Sequence, residues 1–385
     1  MKTVRIALAA ALLCSHLAAT AADETTITVT NNSPVQRQEV VAIDMKQLPA
    51  IPADSIVIIN ALKQQVDHQT TYDGKLLLDV AVQPYGKAVY KVSKGTPQKP
   101  ITYCYGRAYD FRKDDIAWEN DRIGFRVYGP KFQRDGDIGY GIDVWIKNTP
   151  DLVVEMFYND NCFHKKSFHL DHGYGCDCYN VGASLGCGTP TLLHNGKMMF
   201  PYCYESYEIL DNGPLRFTVR LDFAPTVVGK DTKVVEHRII SLDKGSNFCK
   251  AVVWYDGIAD KHDLAIGIVL HDASKQTLTD KERLLYADPT GAAEKHNFQI
   301  YTGVLFPNGG FKTKKEPYTE PLKGVYGHLT GTLRGYTGSA VTYYFGAAWS
   351  KYDVRTFDEW KLRSAEQLSA IRNPLRAEVT PAVHQ

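Results

Sequence analysis

The sequence predicts a mainly β protein built from antiparallel strands, with a small β-sandwich unit in front and one helix at the C-terminus. Three observations carry that reading. Short apolar runs with two-residue alternation recur along the chain, separated by Gly, Pro, Asn and Asp clusters, which is the pattern of strands and turns. Only one segment has a helix start signal followed by apolar residues at helical spacing. One stretch, Phe163 to Gly188, holds three histidines, three cysteines and five glycines in 26 residues with little aliphatic content. It reads as a polar loop on a rigid scaffold, unsuited to a core strand or a helix.

Taken in order, residues 1–22 read as a secretory signal peptide. Lys2 and Arg5 precede the apolar run Ile6 to Leu13, and Ala19-Thr20-Ala21 is a cleavage pattern. Cys14 follows Leu13, a poor residue before a lipidated cysteine, so simple export to the periplasm or medium is favoured over a lipid anchor. No later apolar run reaches membrane-spanning length. Residues 23–97 read as the small β-sandwich unit, with strands at Thr26–Thr30, Ile56–Ile59, Lys75–Val82 and Ala88–Val92. A linker follows at Gly95 to Pro100.

Residues 98–385 read as the large domain. Tyr103 to Trp118 is polar and rich in Arg and Asp. Strands are expected from Ile123 and over Ile142–Ile146, while Leu152–Tyr158 fits either a strand or a helical turn. More strands are expected at Lys197–Phe200, Tyr204–Leu210, Leu215–Phe223, Val234–Leu242, Phe248–Tyr255, Leu264–Leu270, Phe298–Phe306 and Ser339–Trp349. Thr356 and Glu359 form a capping box ahead of Trp360, Leu362, Leu368 and Ile371, which places the helix.

The net charge of +1 and the lack of a basic stripe argue against a nucleic-acid partner. The 23 tyrosines suit flat polar ligands such as sugars, or simply strands. Seven cysteines remain once the leader is removed: 104, 162, 176, 178, 187, 203 and 249. An exported chain permits disulfides, and those clustered around the glycine-rich stretch are expected to staple it.

Three groups of residues are candidates for chemistry. In the glycine-rich stretch, His169 and His172 titrate near neutrality and Tyr174 and Tyr179 can exchange a proton, which suits acid–base work. A metal near His169 and His172 is not favoured, because four ligands at this spacing crowd one loop, and no cofactor is expected. In the charged run, Arg107, Tyr109, Trp118, Asn120 and Arg122 suit a carboxylate-bearing sugar; internal ion pairs are the bland alternative. His328, with Tyr326, Arg334 and Tyr336, sits in a third glycine-flanked segment that also reads as a polar hairpin.

Several motifs carry a resemblance: Arg112 to Ile123 (RKDDIAWENDRI), Tyr128-Gly129-Pro130, Asp143 to Lys147, His169 to Gly175, Tyr179 to Gly182, Leu210 to Arg216 and Ile240 to Ser246. In this order they resemble the exported family filed as domain of unknown function 4861, of polysaccharide-degrading Gram-negative bacteria. The resemblance covers nearly all of the mature chain. It implies an antiparallel galactose-mutarotase-like β super-sandwich, a fold shared by sugar epimerases and polysaccharide lyases. A relative is a dehydratase on uronic-acid oligosaccharides of the algal polysaccharide ulvan. This chain departs from the family in carrying Cys176 and Cys178. The implied activity is β-elimination, as dehydratase or lyase, on an oligosaccharide substrate. A sugar epimerase, a glycoside hydrolase and a non-catalytic sugar-binding protein are the alternatives. Elimination needs a cation or hydrogen-bond donors beside the uronate carboxylate, for which Arg107, Asn120 and Arg122 are candidates, and a base and an acid, for which the histidines and tyrosines of the loop are candidates.

Overall fold

The computed structural model describes residues 25–200, 203–273, 275–289, 298–322 and 324–382. The expected signal peptide, with Cys14, lies outside them. Antiparallel sheets dominate, and the three α-helices among the described residues are Pro130–Arg134, Val154–Phe163 and Phe357–Arg372.

The N-terminal strands form two facing sheets. One has the order Arg376–Thr380, Thr25–Thr30, Lys87–Lys94, Ile56–Ile59, and the other Arg37–Asp44, Lys75–Val82, His68–Thr70. Alternation directs Ile27, Val29, Leu76, Leu78, Val80 and Tyr90 into the space between them. The last strand of the chain closes this unit, with Val379 opposite Ile27 and Ala377 opposite Val29. Gln69 docks it to the large unit: its Oε1 accepts from the N–H of Leu215 (2.8 Å) and Arg216 (2.7 Å), and its Nε2 donates to the Arg216 carbonyl (3.0 Å).

The large unit is a β super-sandwich. One layer is a nine-stranded sheet that includes Arg216–Phe223, Asp231–Asp243, Phe248–Asp256, Val341–Trp349 and Ile300–Leu305. Opposite it lie two five-stranded sheets. The first runs Gly175–Cys176, Asp143–Lys147, Ile123–Val127, Asp115–Glu119, Tyr105–Tyr109. The second runs Lys197–Met199, Cys187–His194, His262–Leu270, Val325–Tyr336, Lys312–Leu322. The two meet where Cys187 N donates to Ile142 O and Ile142 N donates to Thr189 Oγ1, both at 2.8 Å. The seam is too tight for side chains: a Cβ on Gly141 would lie 2.3 Å from the Gly186 nitrogen.

Trp118, Phe125, Val144, Phe217, Ile240, Ile266 and Phe345 fill the interior between the layers. In the Asp115–Glu119 strand, Ile116 and Trp118 point inward, so Asp115, Ala117 and Glu119 must point outward.

Leu152–Tyr158 resolves as helix, within Val154–Phe163, and the helix covers the outward face through Val154, Phe157 and Tyr158. Its start is held by Glu119, whose Oε1 accepts from Val154 N at 2.7 Å. Two expectations fail. The glycine-rich stretch is not only loop: Gly175–Cys176 is a short buried strand, and Cys187 begins a core strand. The expected disulfides are absent, and all seven cysteines are free thiols. They have other partners: Cys249 Sγ accepts from Trp118 Nε1 and Cys187 Sγ donates to Gly346 O, each at 3.4 Å.

The C-terminal helix forms as expected, with Thr356 Oγ1 accepting from Glu359 N at 3.2 Å. Trp360 stacks on Phe248 at 4.9 Å and donates to Thr302 O at 3.0 Å, fixing the helix to the nine-stranded sheet. Trp360→Ala leaves a cavity and an unpaired carbonyl, so urea denaturation should register a loss of about 3–5 kcal/mol. A loss below roughly 1 kcal/mol would mean that the helix is docked by other contacts.

Candidate active site

Two groups of polar side chains occupy the outward face, one on each five-stranded sheet. On the first sheet, cross-strand register sets Arg126 opposite Asp143, with Asp115 on the neighbouring strand. Arg126 Nη2 lies 2.5 Å from Asp143 Oδ2 and 2.8 Å from Asp177 Oδ2, and Nη1 lies 3.5 Å from Asp115 Oδ2. All four side chains are buried. The guanidinium is also sandwiched by Tyr128 (4.8 Å) and Trp145 (4.9 Å). Burial, reinforced by the Asp177 charge, pushes the Asp143 carboxyl up to about 7.

Asp177 ties the glycine-rich loop to this cluster. Its N–H donates to Phe168 O at 2.8 Å, and its carbonyl accepts from His169 Nδ1 at 2.7 Å. A carbonyl can only accept, so Nδ1 of His169 carries the hydrogen and Nε2 keeps its lone pair. Partial desolvation of the ring, with the Arg126 charge also acting, holds His169 below the ordinary imidazole range.

On the second sheet, His328 lies opposite Val269 on one side and Glu316 on the other. Its Nε2 accepts from Leu185 N at 3.1 Å. Nδ1 therefore carries the hydrogen and donates to Tyr318 Oη, 2.7 Å away, leaving the tyrosine's own hydrogen free to point elsewhere. Burial lowers His328 to about 3, with the charge of His271 adding to the effect, so it is neutral. Burial and then the Glu316 charge raise Tyr318, so it is protonated. Tyr318 opens onto a cavity of about 490 Å³ whose lining includes Lys197, Lys312, Lys314, Glu316 and Arg334. Glu316 is engaged by Lys314 and by Thr330 Oγ1 (2.7 Å). Lys197, Lys312 and Arg334 have no carboxylate partner among the described residues.

Residues 177–180 join the two groups. Asp177 holds Arg126 and His169, while the Asn180 carbonyl accepts from His271 Nε2 at 2.7 Å. Three residues of chain span at most about 11 Å.

The residues singled out in the sequence fall into different places. His169 touches the first cluster but its side chain is 59% exposed, and His172 and Tyr174 are likewise exposed on the loop, with His172 Nε2 donating to Ser167 O at 3.0 Å. Tyr179 is buried with its edge on His271, 5.6 Å between centroids. His328 is fully buried and hydrogen-bonded to Tyr318, which lines the cavity.

The expected sugar-binding run is largely structural. Trp118 is 0% exposed and stacks on Phe217, so no face remains for a sugar. Tyr109 is stacked on Tyr158 at 3.8 Å beneath the helix. Asn120 clips a turn, donating to Asp243 O and Ser246 O, and Arg122 pairs with Asp353 at 2.5 Å. Arg107 is partly exposed and lies 3.6 Å from Glu155. Among the described residues, no cluster of three His, Cys, Asp or Glu side chains could hold a metal ion, and no helix is long and apolar enough to cross a membrane.

Sequence reasoning missed Tyr318, Lys312 and Lys314. Their signal was there as alternation: 312, 314, 316 and 318 share one face of one strand. Pro317 masks that strand, but Lys312–Leu322 lies at the sheet edge, where a missing N–H is tolerated.

Fold and site together define a β super-sandwich with a polar cavity on one sheet face. The chain belongs to the family described as Domain of unknown function (DUF4861), matching it over residues 29–377. A Formosa agariphila protein described as Uncharacterized protein P7 is 28% identical over 303 residues, covering 75% of this chain and 73% of that one. Among solved structures, an alpha-mannosidase from Enterococcus faecalis V583 is similar with a TM-score of 0.53 at 8% identity, covering 94% of this chain. A glycosyl hydrolase family 38 protein from Enterococcus faecalis gives 0.52 at 9%, also covering 94%. The chain spans just under half of those two structures (46% and 48%), and the likeness is one of fold.

The raised Asp143 has a measurable consequence. The unfolded carboxyl titrates near its ordinary value of about 3.9, so between about pH 4 and 7 the folded protein keeps a proton that the unfolded chain releases. This contribution to stability is therefore full below about pH 4, is lost as pH rises through about 7, and is flat above. Melting temperatures across this range should decline less steeply in Asp143→Asn than in the natural protein. Parallel curves would remove Asp143 as the proton holder.

Proposed function

We propose that the protein is a carbohydrate-active enzyme that catalyses β-elimination, as a dehydratase or a lyase, on oligosaccharides containing uronic acid, in the periplasm or outside the cell. The observation that carries this reading is the cavity itself: three cations without carboxylate partners beside a protonated tyrosine backed by a neutral histidine. At 490 Å³ its volume lies in the usual range for small-ligand sites. Lys197, Lys312 and Arg334 neutralise the uronate carboxylate, which acidifies the C5 hydrogen.

We assign the base that takes that hydrogen as a proton to His169, whose Nε2 is unprotonated; it lies outside the cavity lining, on the loop over the first sheet, and the substrate has to extend to it. The C5–H electrons form the C4–C5 double bond as the C4–oxygen bond breaks. Tyr318 gives its hydroxyl proton to the departing oxygen, which leaves as water or as a shorter sugar. The similarity in fold to carbohydrate-processing enzymes supports a sugar ligand, and the cations favour an acidic one.

The direct assay follows the ultraviolet band of the conjugated unsaturated acid during incubation with uronic oligosaccharides. Tyr318→Phe should lower kcat by ~10²–10⁴-fold with little change in KM, because it removes a proton donor and keeps the ring. Lys312→Met should raise KM for the acidic substrate. Absence of the band across a broad uronic panel would defeat the elimination reading. Full activity in Tyr318→Phe would defeat the role of Tyr318.

A further inference from the structure

One polar device has no part in the reaction as described: His271, just past the His262–Leu270 strand, with Asp288 at the end of Arg283–Asp288 in the nine-stranded sheet. His271 Nδ1 lies 2.6 Å from Asp288 Oδ2, and Nε2 lies 2.7 Å from the Asn180 carbonyl oxygen. A carboxylate and a backbone carbonyl both accept, so both ring nitrogens must carry hydrogen, and a ring with two N–H groups is an imidazolium. The side chain is only 5% exposed and Asp288 is 0% exposed, so the pair is a buried charge pair. Burial works against the charged ring, but the charge and hydrogen bond of Asp288 outweigh it and His271 is raised above the ordinary imidazole range.

The position of this cation gives it a use. His271 lies one pleat beyond Val269 on the same strand direction, and Val269 is the cross-strand neighbour of His328. A fixed positive charge there opposes protonation of His328. With His328 neutral, the N–H of Leu185 selects Nε2 as acceptor, so Nδ1–H must face Tyr318. Tyr318 Oη is then an acceptor toward His328, and its own hydrogen is directed away from it.

We propose that the Asp288–His271 pair is a permanent imidazolium that holds His328 in its neutral Nδ1–H form, making His271 and Asp288 positioning residues for proton donation by Tyr318. The kinetic part rests on the elimination reading; the protonation states do not. The other groups facing His271 are the Asp272 carboxylate, joined to the hydroxyl of Tyr286, which accepts from His271 N, and the edge of Tyr179. Those facing His328 are Tyr318, the backbone of Leu185 and, across the strand pair, Glu316 with its Lys314 partner. Asp288 is the one carboxylate in direct hydrogen-bond contact with the His271 ring among them.

The test is histidine side-chain NMR on the ¹⁵N-labelled full-length protein without substrate, assigned by comparison with His271→Gln and His328→Gln. The expected result is that His271 has both nitrogens protonated from about pH 6 to 8, and His328 is protonated at Nδ1 alone throughout. In Asp288→Asn, the His271 pKa should fall to about 6.5 or below, and Asp288→Glu should restore the charged form. A neutral His271 at pH 7 in the natural protein, or a His328 protonated at Nε2, overturns the proposal. Should Asp288→Asn fail to fold, the natural protein's spectrum still decides. If the spectra are as expected but no uronic oligosaccharide reacts, the elimination reading fails while the protonation assignment stands.

Discussion

Arg126, buried beneath a polar loop, depends on three carboxylates, and the covered half of the outward face is organised to keep it there. An uncompensated buried charge costs several kcal/mol, so the cluster exists only because Asp115 and Asp143 come from neighbouring strands in register and Asp177 comes down from the loop. The roof follows from the same need. The Val154–Phe163 helix excludes water, and its start is fixed by Glu119, itself paired with the buried Lys147 at 2.6 Å. Asp177 is the hinge of the arrangement, because its carboxylate serves the cluster while its carbonyl sets the tautomer of His169.

The open half of the same face is built on the opposite principle. Threonines, lysines and an arginine line a cavity instead of a sealed cluster, and their cations keep their charge available for a ligand. The link between the halves is short and covalent, residues 177–180. Strand register places His328 and Tyr318, while His169 is placed by the loop through its hydrogen bond to the Asp177 carbonyl. Similarity to an alpha-mannosidase and to a glycosyl hydrolase family 38 protein lies in this scaffold; under the proposed function the reaction comes from the side chains that the cavity presents.

Much of this was legible in the sequence. Alternation exposed most of the long strands, and Thr356 with Glu359 marked the one long terminal helix. His169 and His328 stood out as titratable groups in glycine-flanked segments. The failures have physical causes. The run Asp115 to Glu119 reads as charged because its outward side chains are charged; the inward Ile116 and Trp118 are core, and so Trp118 was misassigned to a ligand. Asn120 and Arg122 look like a clamp in sequence but are used by distant backbone and by Asp353. Cysteine spacing suggested staples, whereas strand direction sends Cys187 and Cys249 into the core. Tyr318 escaped notice because its partner His328 is ten residues away across a hairpin, a proximity that only pairing creates.

The central claim is elimination in the cationic cavity, and product mass spectrometry on a defined uronic oligosaccharide tests it most directly. The account predicts either a product lighter by one water or two fragments whose masses sum to that of the substrate, one carrying an unsaturated uronate. Fragments that together have gained one water would mean hydrolysis, an unchanged mass with an inverted carbon would mean epimerisation, and either would contradict it.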